Sequence, residues 1–381
     1  MRTLSKDDAR RFLLRHLGLD RWRRGARGIR ATLEALGCIQ LDPLDAIGTN
    51  ADLVTLARVD GVRRGDVYDA LLPRHAFEHF AKERCLVPAR AFPQYRDRAI
   101  ATPWWRLHAR SERVPTSVLE AVYEEVARHG PKSAAELSDH GAVEALDWSG
   151  WKGTSRMTTM ALEILWTRCR VVVSGRASDG AKRYDLPSRA LPDHHDAPAA
   201  EYGPWALRER VASAGLLARA VGPSWSMLRD VRHTLTEAML AEGAVEAVTV
   251  EGSSRPYLAP AGLSIPRRLK DDGRMRVLGP LDPLLWDRKL VRQIFGFDYV
   301  WEVYKPASAR RWGWYVCPLL HRGELVGRVE AKISGDTLVV QRLWREEGVD
   351  FDEDAFDRAL ERHAEACRAT AVKRLRAARR R

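Results

Sequence analysis

The chain of 381 residues sets 63 Lys and Arg against 51 Asp and Glu, a formal charge of +12, with 45% apolar residues and a pI near 9.7. That length predicts a soluble protein of several domains, and the basic balance favours a polyanionic partner such as nucleic acid over an acidic metabolite. Five scattered cysteines, Cys38, Cys85, Cys169, Cys317 and Cys367, form no C-x-x-C, which speaks against a disulfide framework and a zinc site and for a reducing cytoplasm. Met1-Arg2-Thr3-Leu4-Ser5-Lys6-Asp7-Asp8 reaches acids before any apolar run, and no stretch of about 18 apolar residues appears, so neither a signal peptide nor a membrane span is expected.

Ser5 and Asp8 resemble a capping box, and Ala9, Phe12, Leu13 and Leu17 follow at helical spacing. A second helix carries Ile29, Leu33 and Leu36 and is closed by Gly37. The next residues, Ile39-Gln40-Leu41-Asp42-Pro43-Leu44, read as a strand that buries Ile39 and Leu41 and sends Gln40 and Asp42 out together, ending at Pro43, which has no N–H to give. Leu53 to Ala57 reads as a further strand. Helical candidates then carry Val67, Ala70 and Leu71, and Phe77, Phe80 and Ala81.

From Thr116 the pattern is a helix with Val118, Leu119, Val122, Tyr123 and Val126, a capping box at Ser133 to Glu136, a third helix from about Ser155 to Arg168, and a hairpin of Arg170 to Gly175 and Arg183 to Leu186. Three helices and a hairpin make a winged helix-turn-helix. After a polar linker at Asp193 to Pro198, helices at Trp205 to Ala214 and Met227 to Glu242 and strands at Val245 to Glu251 and Tyr257 to Ala259 repeat the scheme. From Met275 a helix at Trp286 to Phe295 leads to strands at Tyr299 to Tyr304, Trp312 to Cys317, Leu325 to Lys332 and Thr337 to Trp344, and Phe351 to Arg381 is a basic helical tail. The expected fold is therefore α+β and helix-rich: three tandem winged helix-turn-helix motifs (1–112, 113–192, 199–265), a small C-terminal β-barrel-like domain (275–346) and a terminal helix (347–381).

Winged helices read DNA with the third helix and the wing, which singles out Lys152, Arg156 and Arg168 on the helix and Arg176, Lys182 and Arg183 on the wing. The same architecture also serves protein contacts, or a non-catalytic DNA-binding regulator. Gln40 and Asp42 are the candidates for chemistry. Hydrolysis of an N-glycosidic bond passes through an oxocarbenium-like sugar, which a carboxylate stabilises while aligning a water. At about 4 Å and an effective dielectric near 20 that attraction is roughly 4 kcal/mol, about three decades of rate if realised only in the transition state. Gln40 holds the same water or a sugar oxygen. A Gln-x-Asp pair alone is unspecific, since most such pairs decorate surfaces or cap helices. Phosphate-loop, dinucleotide, G-x-S-x-G and H-E-x-x-H motifs are absent. His75 and His79 have no metal-binding context and suit a groove or core, while Glu78 and Glu83 are possible second carboxylates. Trp104, Trp105, Trp148, Trp151, Trp312 and Trp314 offer stacking faces, though most Trp residues are core.

Four blocks carry a resemblance: Gly37-Cys38-Ile39-Gln40-Leu41-Asp42; Phe77-Glu78-His79-Phe80-Ala81-Lys82-Glu83 with Leu86-Val87-Pro88; Leu281-Asp282-Pro283-Leu284-Leu285-Trp286-Asp287-Arg288-Lys289 with Phe295-Gly296-Phe297-Asp298-Tyr299; and Tyr315-Val316-Cys317-Pro318-Leu319-Leu320 with Val326-Gly327-Arg328. Together they resemble the bacterial YcaQ family of winged-helix DNA glycosylases, of AlkX and AlkZ type. The resemblance implies excision of N7-alkylguanine, in some members unhooking of interstrand crosslinks, with catalysis on a Gln-x-Gln or Gln-x-Asp motif matched here by Gln40 and Asp42. N7-alkylation makes guanine a cationic leaving group, so a placed water and a negative charge suffice. The expected partner is double-stranded DNA, without metal, cofactor or membrane, and the chain is expected to act as a monomer. It departs from the pattern at Asn50-Ala51-Asp52, where many relatives carry Arg and His. Asp52 is accordingly expected to lose a phosphate contact and to repel DNA.

Overall fold

A computed structural model describes residues 1–99, 105–145, 153–220 and 222–375, so Lys152, Trp104, Trp148, Trp151 and the terminal Arg379-Arg380-Arg381 lie outside the described residues. The architecture is mixed α+β, and the chain divides into two compact units. One comprises Met1–Val67, Ala81–Cys85 and Ala206–Arg381, the other Tyr68–Phe80 and Leu86–Trp205.

The first unit is built on a five-stranded sheet, in the order Arg276–Val277, Val316–His321, Glu324–Ser334, Thr337–Arg345 and Ala371–Arg374. All neighbours are antiparallel except the last pair. His321 faces Glu324 across a two-residue turn in which Arg322 and Gly323 both have positive φ, the conformation a tight hairpin requires. Val329, Ala331, Leu338 and Val340 of the sheet pack with Phe356, Ala359, Leu360 and Ala364 of helix Glu353–Ala366, and Ala46, Ile47 and Leu53 from near the N-terminus join the same core. A second sheet sets Arg2–Leu4 parallel to Val245–Val250, followed by Tyr257–Pro260 and Leu217–Ala218. Helix Lys6–His16 starts on Ser5, whose side chain accepts the Asp8 N–H, and buries Ala9, Phe12, Leu13 and Leu14.

The second unit packs helix Thr116–His129 against helix Met157–Thr167. The capping box at Ser133 and Glu136 opens a single 3-10 turn, Ala134–Glu136. The hairpin of Val172–Arg176 and Lys182–Asp185 forms with a bulge at Val173/Gly175, and Lys132–Ser133 adds a third strand.

Four sequence expectations are corrected. Leu53 to Ala57 lies mostly in helix Asn50–Leu56, because Thr49 and Asp52 form a reciprocal capping box that starts a helix there. Ala76–Phe80 is a strand, with four of its five residues buried, so no alternation betrayed it. Tyr299 to Tyr304 forms no strand, since the Glu302 carboxylate takes the backbone N–H groups of Arg311 and Trp312 and folds the segment into a loop. The C-terminal helix ends at Ala366, where Arg368 turns through a positive φ and delivers Ala371–Arg374 as a strand rather than a helical tail.

Candidate active site

Helix Gly25–Leu36 ends on Gly37, which caps it with φ +67° and an N–H to Leu33 O at 2.9 Å. A side chain there would strike Ser213 Oγ at 2.8 Å, so conformation and space both demand glycine. The cap aims the chain into strand Ile39–Gln40, where Leu41 N–H donates to Arg84 O at 2.8 Å. This strand is shorter than expected and its facing differs. Gln40 is buried at 8% exposure beside fully buried Ile39, while Leu41 and Asp42 are both half-buried. Pro43 gives no N–H, and Asp42 Oδ1 accepts Leu44 N–H at 3.0 Å, so the chain turns two residues early.

Lys82 explains the burial of Gln40. Its ammonium donates to Gln40 Oε1 at 3.2 Å and sits 5.2 Å from the centre of the Trp286 ring. An ammonium has donors only, so the amide end it holds is the oxygen, and the Gln40 NH2 is the end left to offer a water or a sugar oxygen. Burial lowers the Lys82 pKa, against the smaller opposing pull of Cys85 and Glu83. Asp42 moves the other way: burial raises its carboxyl, with the Leu44 N–H opposing. The pair therefore comprises an oriented amide donor and a half-exposed carboxylate. The cavity that Trp286 lines, about 380 Å³, has Trp225, Arg255 and Leu290 in its wall but neither Gln40 nor Asp42.

The frame behind the pair comes from two blocks distant in sequence. Asn50, fully buried, donates to Gln40 O at 2.8 Å and accepts Leu281 N–H at 3.1 Å. Asp52 is 3% exposed and accepts from Thr49 N–H and Oγ1 and from Gly65 N–H at 2.8 Å. Asp52 is therefore not an exposed charge: its carboxylate is turned inward as a helix cap. One step further, Arg58 and Asp282 form a fully buried two-pronged ion pair at 2.6 and 2.9 Å, with Arg58 also donating to Leu17 O and Val54 O. Removing one member of such a pair costs about 3–5 kcal/mol. Three residues of the Asp282-to-Arg288 block have defined parts in this frame. Asp282 anchors, Trp286 donates from Nε1 to Leu281 O at 2.9 Å and seats Lys82, and Asp287 caps helix Arg288–Phe295 through the N–H groups of Lys289 and Leu290. Lys82 and Asn50 were not singled out as site residues from the sequence. For Asn50 the signal was the Thr49-x-x-Asp52 box, whereas the pairing of Lys82 with Gln40 has no local signature.

The second unit holds the other candidates. Glu78 is buried at 1% and ion-paired to Arg176, with Lys182 at 4.0 Å. Arg176 also lies 4.6 Å from the Tyr68 ring centre, and Lys182 lies 3.5 Å from Glu163 and 5.6 Å from the Trp166 ring centre. Arg156 donates to Ala134 O at 3.1 Å, and Arg183 to Pro131 O at 2.7 Å. Arg168 is exposed and donates to Ser111 Oγ at 3.2 Å. His79 is buried with Nε2 3.1 Å from Thr167 O, while His75 is exposed, and the described residues contain no group of three or more His, Cys, Asp or Glu able to hold a metal. Glu83 is exposed in the first unit. No helix among the described residues is long and apolar enough to cross a membrane.

Two comparisons bear on this site. The signature of the AlkZ-like DNA glycosylases matches residues 33–366, a span that begins before Gln40 and ends with helix Glu353–Ala366. The fold is similar to that of Streptomyces sahachiroi DNA glycosylase AlkZ, at 15% identity and a TM-score of 0.60, covering 98% of this chain and 100% of that one. The chain belongs to the AlkZ-like DNA glycosylase family.

Proposed function

We propose that this protein is a monofunctional DNA repair glycosylase that hydrolyses the N-glycosidic bond of N7-alkylguanine and unhooks interstrand crosslinks made at that nitrogen. The observation that carries the reading is a half-exposed carboxylate, Asp42, two residues on from an amide that Lys82 has already oriented, in a chain of this family. Asp42 acts on the water as general base and on the developing oxocarbenium as a fixed negative charge. The Gln40 NH2 holds the water or a sugar oxygen, and the cationic purine leaves without needing a strong acid. A half-exposed carboxylate suits a bulky or crosslinked base, which is hard to extrude into a tight pocket. Thr116–His129 to Lys182–Asp185 is read as a winged helix whose Lys152, Arg156, Arg168, Arg176, Lys182 and Arg183 meet phosphates. Arg176 and Lys182 take the smaller share because Glu78 already engages them. Tandem units at 1–112, 113–192 and 199–265 and a β-domain at 275–346 complete this reading.

The test is incubation with a duplex carrying one N7-methylguanine, then mild alkali to cleave any abasic site. Wild type is expected to give the strand break and Asp42→Asn to lose it while retaining DNA binding. An equal yield from the variant would remove Asp42 from the chemistry.

A further inference from the structure

The loop after helix Arg288–Phe295 is fastened from within. Glu302 is 2% exposed, and its carboxylate accepts from Lys305 Nζ at 2.8 Å and from the N–H groups of Arg311 at 3.1 Å and Trp312 at 2.7 Å. Lys305 N–H returns to Glu302 O at 2.9 Å, and Arg310 Nε donates to Lys305 O at 2.8 Å. What this fastened loop displays is Tyr304, an aromatic 76% exposed. Its ring meets Trp301 edge-on at 5.6 Å, and Trp301 meets Tyr315 at 6.5 Å, so the exposed ring stands on an aromatic footing. Around it the loop carries Lys305, paired with Glu302 at 2.8 Å, Arg311, 3.6 Å from Asp298, and Arg310, for which the described residues supply no carboxylate partner. Trp301 and Leu44, whose N–H is held by the Asp42 carboxylate, pack against the same core, so the footing of the ring and the candidate carboxylate share one support. After burial, the charges of Asp42 and Glu83 raise the Tyr304 phenol pKa. A fixed, solvent-facing ring among cations matches the chemistry of a nucleobase stacked above a phosphate backbone.

We infer that Tyr304 is a DNA-stacking residue that inserts against the base stack next to the sugar under attack, with Arg310 steadying a flanking phosphate and Lys305 and Arg311, already engaged by Glu302 and Asp298, taking a smaller share. The inference rests on the glycosylase reading for the identity of the partner, and it assigns to the C-terminal part of the chain a direct hold on DNA.

The probe is a duplex bearing a tetrahydrofuran abasic-site analogue with 2-aminopurine as its neighbour, which needs no excision. Wild type is expected to quench the 2-aminopurine on binding. Tyr304→Ala is expected to lose the quench and bind roughly ten-fold more weakly, the size of one base–aromatic stack. Tyr304→Phe is expected to keep both, and equal melting temperatures confirm that all three fold alike. Wild-type quench and affinity in Tyr304→Ala would overturn the inference. Equal loss in Tyr304→Phe would overturn it too, since it would make the hydroxyl rather than the ring the contact. If wild type excises nothing from the N7-methylguanine duplex while the tyrosine dependence of binding holds, the stacking role survives and the glycosylase reading falls.

Discussion

Each unit contains a lysine ammonium lying on a tryptophan, and the two lysines have different partners. In the second unit Lys182 lies over Trp166 and joins Arg176 around Glu78, which is fully enclosed. In the first, Lys82 lies over Trp286 but spends its hydrogen bond on the Gln40 amide, and Asp42 receives a backbone N–H from Leu44. A carboxylate met by two cations is neutralised and serves the fold. Asp42, half-buried, receives among the described residues one backbone N–H and no cation. The residue types alone do not separate these arrangements; the partner of the lysine does.

The largest expected effect that sharpens this contrast is catalytic. Asp42→Asn should lower excision by about three decades with folding intact, whereas Glu78→Gln should leave excision per folded molecule near wild type and instead lower stability by about 2–4 kcal/mol, because Arg176 and Lys182 lose their counter-charge. Single-turnover excision together with urea melts of both variants checks this, and the reverse pattern would exchange the two assignments. Next comes Lys82→Met, expected to reduce the single-turnover rate by roughly ten- to a hundred-fold with DNA affinity unchanged, since the amide loses its orientation. Lys82→Arg should recover part of that loss, and a pure affinity effect would instead make Lys82 a phosphate contact.

The pH profile comes third. Asp42 must be ionised and its pKa is raised, so the acid limb of the rate should lie above the ordinary aspartate value. Lys82 must be protonated and its pKa is lowered, so the alkaline limb should lie below the ordinary lysine value. Glu78→Gln should move neither limb. The smallest effect is on stability. In the window between the unfolded and the raised folded pKa of Asp42, the folded state binds the proton more tightly, so stability falls as pH rises through that window. Asp42→Asn removes this dependence, and its melting temperature at neutral pH should equal or slightly exceed that of wild type.

What could be seen in the sequence follows the range of the forces involved. Ser5, Gly37 and the Ser133 to Glu136 box act within one turn of helix, and their structures are as expected. Gln40 and Asp42 were found as a pair, but their facing was not, because a lysine in another segment and an early Asx turn decide it. Ala76–Phe80 hid its strand because its polar residues, Glu78 and His79, are adjacent and buried with the apolar ones, so no polar–apolar alternation marks it. Asp52 looked like an exposed charge although the Thr49-x-x-Asp52 box was a local sign of a cap; its other partner, Gly65, lies 13 positions on and meets it only in the fold. Tyr299 to Tyr304 carries the β-branched and aromatic residues of a strand, yet one buried glutamate claims the backbone that a neighbouring strand would have needed.

The ion pair of Arg58 and Asp282 also sets a timetable. Its members are 224 positions apart, so on a translating ribosome adding about 5–20 residues per second the arginine waits roughly 11–45 seconds for its aspartate. Trp286, the seat of Lys82, and Leu281, the second partner of Asn50, emerge with that aspartate. The strand bearing Gln40 is among the first parts made, yet it acquires its final form only when the last third of the chain appears. A nascent chain cut short before that point carries the Gln-x-Asp residues without the frame that orients them.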